Sequence, residues 1–208
     1  MLHRVTLIII ALLALNAGCS GGPPGRVEEG YPPEEPRQPQ RLEIVDASIA
    51  DPLEWWRVNI CNQIPVEIYS LKQQELTAQA IVESTNAVRA EYDLPPVEAL
   101  PILNRVAQAH AWDQATRDYW SHRTPEGLSS RQRILASGGG VVNTGGENSS
   151  IATPKTHTPG MIVQGFRTHV GHRELLLDPD VTHIGVGVYN YSSSEWVYYV
   201  QLLVSFTE

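Results

Sequence analysis

The chain has 208 residues, a formal net charge of -8 and 42% hydrophobic residues, enough length and apolar content for one domain with a core of its own. A domain this acidic is not held on phosphates by a general electrostatic field, which argues against nucleic acid as a partner. With only two cysteines, Cys19 and Cys61, its stability falls to that core rather than to a disulfide framework.

At the start, His3 and Arg4 precede an uncharged run from Val5 to Leu15 that closes on Asn16, Ala17, Gly18 and Cys19. The run is too short to span a bilayer and has the charge, apolar centre and small-residue exit of a secretory signal. Its end resembles a lipoprotein signal, in which the cysteine is acylated and becomes the mature N-terminus. Residues 1–19 are therefore expected to be a signal segment, with Cys19 as the lipidation site and the membrane as partner through that lipid. Asn16 stands where an aliphatic residue is usual, so ordinary secretion is the alternative. Ser20 replaces the aspartate that retains lipoproteins in the inner membrane, which implies an outer-membrane address in a Gram-negative cell.

Residues 20–41 are rich in Pro, Gly, Glu and Gln; such a segment cannot bury apolar surface and reads as an extended tether. Residues 42–72 contain Trp55, Trp56, Ile60, Cys61, Val66, Ile68 and Tyr69 and are too apolar for a linker. They read as an N-terminal addition packing on the domain, which itself spans 73–208. Within that addition Cys61 reads as a small buried hydrophobe, because no base signature accompanies it.

Helical periodicity starts near Gln73 and continues through Ala78, Ile81, Thr85, Val88 and Tyr92 until Pro95-Pro96 ends it. A second helix opens at Pro101, carries Leu103, Val106, Ala107, His110, Ala111 and Gln114 on one stripe, and reaches about Trp120. A short third is expected over Ser129 to Ala136. Thr158 and Pro159 cap a fourth, with Ile162, Gly165, Phe166 and His169 on one face and Gly171 as its end. Ile184, Val186 and Val188 alternate with glycines, and Trp196 to Phe206 is β-rich, so the two runs are expected to form an antiparallel hairpin.

Several short signatures then fall in one order. They are Asn86-Ala-Val-Arg89 before Leu94-Pro95-Pro96, Ala109-His110-Ala111-Trp112-Asp113-Gln114-Ala115, Tyr119-Trp120-Ser121-His122, Gly127, and Arg133-Ile134. After these come Gly146-Glu147-Asn148, Phe166 with Gly171-His172-Arg173, and Thr182-His183-Ile184-Gly185-Val186-Gly187. In this order they are similar to the bacterial branch of the CAP superfamily (cysteine-rich secretory proteins, antigen 5 and pathogenesis-related proteins; the SCP domain), over roughly Leu76 to Phe206. The resemblance implies an α+β fold, a three-layer α-β-α sandwich with an antiparallel central sheet. It also implies a cleft that gathers two histidines and acidic residues, in some members around a divalent metal. Carried over, His122 matches the first histidine, Glu147 the glutamate of Gly-Glu-Asn and His172 the histidine of Gly-His-Arg. The second acidic position is occupied by His169.

Imidazoles with one carboxylate suit zinc better than magnesium or calcium, so zinc is the expected metal, with Asn148 orienting Glu147 from behind. The bland alternative is a buried polar cluster that locks the cleft wall, and for His169 a place in the last turn of a helix, where the dipole favours it. His110 reads as a core histidine. The sequence has no His-Glu-x-x-His helix, Gly-x-Ser-x-Gly elbow or phosphate-cradling glycine loop. The expected role is thus an exported envelope module binding a lipid, peptide or glycan, with a metal-dependent hydrolase and a purely structural module as rivals.

Overall fold

The computed structural model describes residues 44–64, 72–153, 157–190 and 195–207, of which 72–76 in backbone alone. The signal segment with Cys19, the tether, part of the 42–72 addition and the tip of the final hairpin lie outside the described residues. The order of elements is α1 (Pro52–Trp56), a π-helical turn (Arg57–Cys61), α2 (Lys72–Ala90), β1 (Glu98–Ala99) and α3 (Pro101–Thr116). Then come α4 (Ser130–Ala136), β2 (Val142–Ala152), α5 (Pro159–Thr168), α6 (Val170–Leu176), β3 (His183–Asn190) and β4 (Val197–Phe206).

Among the described residues, four strands form one sheet in the order β1-β3-β4-β2. Strand β4 alternates strictly, and its two faces serve two cores. Tyr198, Val200, Leu202 and Val204 pack with Leu103, Val106, Ala107 and Trp112 of α3 and with Trp56 and Ile60. Val197, Tyr199 and Leu203 pack with Ile81 and Val88 of α2, Ile162 and Phe166 of α5 and Leu176 of α6. The result is the three-layer sandwich, with the 51–61 segment built into the α3 side. There Asp51 caps α1, its side chain accepting from Leu53 N at 3.0 Å, while buried Cys61 contacts Ser137 Oγ at 3.3 Å.

The sheet corrects one expectation: it is mixed rather than antiparallel. After Pro95-Pro96 the chain is extended, and Glu98 and Ala99 run parallel to His183 and Ile184. Glu98 N donates to Thr182 O at 2.9 Å and Leu100 N to Ile184 O at 3.0 Å before Pro101 opens α3. The β3-β4 hairpin is antiparallel as expected.

Three other elements differ from the sequence reading. Helix α3 ends at Thr116 rather than at about Trp120, where Arg117 (φ -100°, ψ 7°) and Asp118 (φ 55°) leave the helical conformation. The fourth helix does not run to Gly171: it stops at Thr168, His169 is extended (φ -92°, ψ 125°), and Gly171 sits inside a separate helix, α6. Strand β2, which the periodicity did not announce, forms because its eleven-residue backbone pairs with β4 along its length. At Gly145 (φ +103°) that pairing brings the backbone so close that a Cβ would lie 2.0 Å from Leu203 O.

Candidate functional site

Strand β2 is an edge of the sheet, and its register sets two side chains to opposite faces. Glu147 lies opposite Leu202, on the α3 side, and Asn148 opposite Gln201, on the α2 side. The cleft therefore wraps over a strand edge, with His122 arriving from the loop between α3 and α4 and His169 and His172 from the junction of α5 and α6.

Glu147 is the hub. Its side chain is 2% exposed and carries three neighbours. Arg133 of α4 donates Nη2 to Oε2, His122 Nδ1 lies 3.0 Å from Oε1, and His110 Nε2 of α3 lies 3.7 Å from the same oxygen. His122, by contrast, is 58% exposed. Its ring stands edge-on to His172 at 6.5 Å between centroids, and His172 lies 4.6 Å from His169 and 5.2 Å from the Phe166 ring. The three imidazoles form a row across the cleft mouth that ends on the buried carboxylate.

Behind the row runs a buried polar thread. Asn148 Nδ2 donates to His172 O at 3.3 Å and Gln201 Oε1 at 3.0 Å, and Gln201 Nε2 to Thr85 Oγ1 at 2.8 Å. Asn148 thus holds the backbone of His172; no hydrogen bond joins its side chain to the Glu147 carboxylate it was expected to orient.

Burial alone would raise the Glu147 carboxyl, but the Arg133 cation and the neighbouring imidazoles prevail and hold it down at about 2. The hydrogen bond with Glu147 raises His122 above its ordinary 6.5. His172 is pushed down to about 4, by burial first and then by His169 and His122. His110, fully buried with Nε2 3.0 Å from Ser121 O, is pushed down to about 3, by burial and then by Arg133. Because that carbonyl only accepts, the neutral His110 ring carries its proton on Nε2.

These shifts have opposite signs for stability. For His110 and His172 the unfolded chain binds more protons below 6.5, so stability falls as pH drops from 6.5 toward 4. The His122 contribution is fully present below 6.5 and is lost as pH rises through its raised pKa, while that of Glu147 is lost from 4.5 down to about 2. Melting temperature is therefore expected to rise between pH 4 and 6.5. In His110→Gln, which keeps a donor for the Ser121 carbonyl, the rise should be shallower; an identical slope would show that His110 titrates freely.

The resemblance expects His122, Glu147, His172 and His169 in one site, and the fold places the four side by side, from the Glu147 carboxylate through His122 and His172 to His169. Sequence reasoning placed His110 in the core, where it is, without its contact to Glu147. In the sequence Arg133 is part of a signature only, and its burial is set by packing, since Arg131, Gln132 and Leu135 of the same helix are exposed. His169 stands between two helices rather than in the last turn of one, so the helix-dipole alternative does not describe it.

A zinc ion needs three or four converging donors. Among the described residues no three His, Cys, Asp or Glu side chains are grouped to hold a metal ion. Moreover, the one carboxylate donor is already bound by a guanidinium, whose charge opposes a divalent cation. In this arrangement the donor set does not fit the metal.

The family model described as the cysteine-rich secretory protein family, CAP, matches residues 82–203. The Bacillus subtilis protein YkwD is 36% identical over 116 residues, covering 56% of this chain and 43% of YkwD. The B. subtilis membrane protein YlbC is 33% identical over 117 residues, covering 56% and 33%. This chain thus spans less than half the length of either relative. Among solved structures, an extracellular SCP-domain protein of Bacillus anthracis superposes with a TM-score of 0.54 at 25% identity, covering 67% of this chain and 43% of that one. An outer surface protein of Borrelia burgdorferi gives 0.55 at 18%, covering 65% and 95%, a likeness of fold.

Proposed function

This chain belongs to the cysteine-rich secretory protein (CAP) family, and from that membership we propose that it is an exported binding module of the cell envelope whose recognition site is the cleft of His122, Glu147, His169 and His172. One observation carries the reading. The carboxylate at the base of the cleft is buried and its charge is balanced by Arg133, while the His122 and His169 residues above it are exposed and His172 is half-buried. Among the described residues, no hydrogen bond occupies Nε2 of His122 or either ring nitrogen of His169 and His172. Unpartnered nitrogens at a half-open mouth suit a ligand that offers hydroxyls or amides, as a glycan or peptide does, better than an apolar chain.

Export is supported by the signal-like residues 1–19 and by the extracellular B. anthracis neighbour. Among the described residues no helix is long and apolar enough to cross a membrane. Anchoring rests on Cys19: labelled fatty acid carried by the wild-type chain and absent from Cys19→Ser reads the anchor directly, and label retained by the variant removes it.

The test of recognition is retention of the chain on purified peptidoglycan sacculi, with vesicles of total envelope lipid as the second arm. His122→Gln and His172→Gln are each expected to weaken retention on sacculi about tenfold, one charge-assisted or well-placed hydrogen bond each. Retention unchanged in both variants, or binding confined to lipid, would defeat the reading. Stoichiometric zinc on the purified chain, lost in both variants, would move the cleft to metal-assisted chemistry instead.

A further inference from the structure

We infer that Arg133 is the positioning residue of the cleft, holding the loop that carries His122 against Glu147; this rests on the reading of the cleft as a recognition site. The Arg133 side chain is fully buried and divides its donors between two elements. Nη2 goes to the Glu147 carboxylate on β2. Nη1 goes to two carbonyls of the α3–α4 loop, His122 O at 3.0 Å and Leu128 O at 3.0 Å, which bracket its 122–128 stretch. The local sequence explains why it can reach them. A capping box between Ser129 and Gln132 fixes the start of α4. Side chains on a helix lean toward its N-terminus, so an arginine one residue past that box lies back over the 122–128 loop.

Stability alone does not account for this arrangement. A buried ion pair gains little over an apolar pair of similar volume, and Arg133 Nε is buried without a partner among the described residues. What the pair provides is geometry: a rigid planar fork spreads its donors over two nitrogens and holds two carbonyls and a carboxylate in fixed directions, where the three donors of an ammonium radiate from a single rotatable nitrogen. The loop has further ties on either side of His122: Ser121 O accepts from Gln114 Nε2 at 3.3 Å and lies 3.0 Å from His110 Nε2, Arg123 Nη1 donates to Gly127 O at 2.8 Å and Leu128 N to Thr124 Oγ1 at 3.2 Å, and Arg117 pairs with Glu126. Thr124 N donates to Leu128 O at 3.1 Å and Gly127 N to Thr124 O at 2.8 Å, a turn that closes on the same Leu128 carbonyl that Arg133 holds. Arg133 joins this turn and the His122 carbonyl to the Glu147 carboxylate through one side chain. Released from the guanidinium, the mostly exposed segment from His122 to Leu128 would keep its own turn but lose its placement against β2, and the His122 ring could no longer face a ligand in one orientation.

Positioning and charge compensation are separable. Arg133→Met leaves Glu147 buried without its guanidinium partner, so melting is expected to drop by about 10 °C. Arg133→Met combined with Glu147→Gln removes both charges and should recover most of that loss. If Arg133 positions the loop, the amides of Thr124 and Gly127 in the double variant still exchange with deuterium at least about tenfold faster than in wild type, although Glu147→Gln alone leaves them slow. Arg133→Lys, which keeps the charge without the fork, should fall on the same side: modest loss of melting temperature, fast loop exchange. Exchange restored to the wild-type rate in the double variant or in Arg133→Lys would overturn the proposal and leave Arg133 as a charge partner only. Hydrogen exchange needs no ligand, so it decides on Arg133 even if sacculi do not bind and the recognition reading fails. Where they do bind, the double variant and Arg133→Lys should both be retained at least about tenfold less than wild type.

Discussion

Replacing Arg89 by Met is expected to destabilise the domain by about 4 kcal/mol, read as a lower urea midpoint with an unchanged slope. Arg89 sits at the end of α2, fully buried, and spends its donors on backbone carbonyls. Nε bonds Pro95 O at 3.0 Å, Nη1 bonds Leu176 O at 3.0 Å and Asp178 O at 2.9 Å, and Nη2 reaches Val181 O at 3.4 Å. Leu176 ends α6, where a carbonyl has no partner within the helix. The substitution orphans these acceptors; the bonds to Leu176 O and Val181 O are buried, and each buried acceptor costs about 1–3 kcal/mol if nothing replaces the donor. Arg89→Lys reaches fewer of them and should recover about half of the loss. Because α6 carries His172, weaker retention on sacculi should accompany the lost stability. A change below about 1 kcal/mol in Arg89→Met would mean that the carbonyls find water or repack.

Gly187→Ala is expected to cost about 3 kcal/mol, measured the same way. A Cβ there would lie 2.2 Å from Ala107 C and 2.3 Å from Ala107 O, and at Gly185 one would lie 2.3 Å from Leu103 C. These are backbone atoms of α3, so no side chain can rotate out of the way; the helix must lift from the sheet. Lifting α3 also withdraws His110 from Glu147 and Ala107 from the core. Gly171→Ala is the control, since a Cβ there meets nothing within 4 Å and the helical position favours Ala over Gly by about 0.5–1 kcal/mol. If both substitutions have similar effects, the contact between α3 and β3 is softer than these distances require.

Both cases show why the ordered signatures were legible. Arg89 stands out because an arginine closes an amphipathic helix just before Leu94-Pro95-Pro96, and the two glycines because they alternate with Ile184, Val186 and Val188. Each carries its own physical requirement, a buried donor or an absent side chain, and that requirement leaves a mark in the sequence. Strand β2 left none. Thr144-Gly145-Gly146-Glu147-Asn148-Ser149-Ser150 has neither the alternation nor the β-branched content of a strand, and it is one because β4 offers an unpaired edge along its whole length.

Periodicity, caps and residue chemistry act over a few neighbours, so the sequence by itself determined a mixture of helices and strands, the α3 and α5 starts and the β3-β4 hairpin; the sandwich and the site residues followed from the resemblance of its ordered signatures to the CAP family. Tertiary structure alone decided that the sheet is mixed, that His169 breaks a helix rather than ending one, and that Glu147 is held by Arg133 and flanked by His110. Those outcomes depend on which groups, 14 and 37 residues apart in the chain for the two Glu147 pairs, are desolvated together. A buried charge takes whichever partner packing delivers, and the order of residues along the chain does not record that distance.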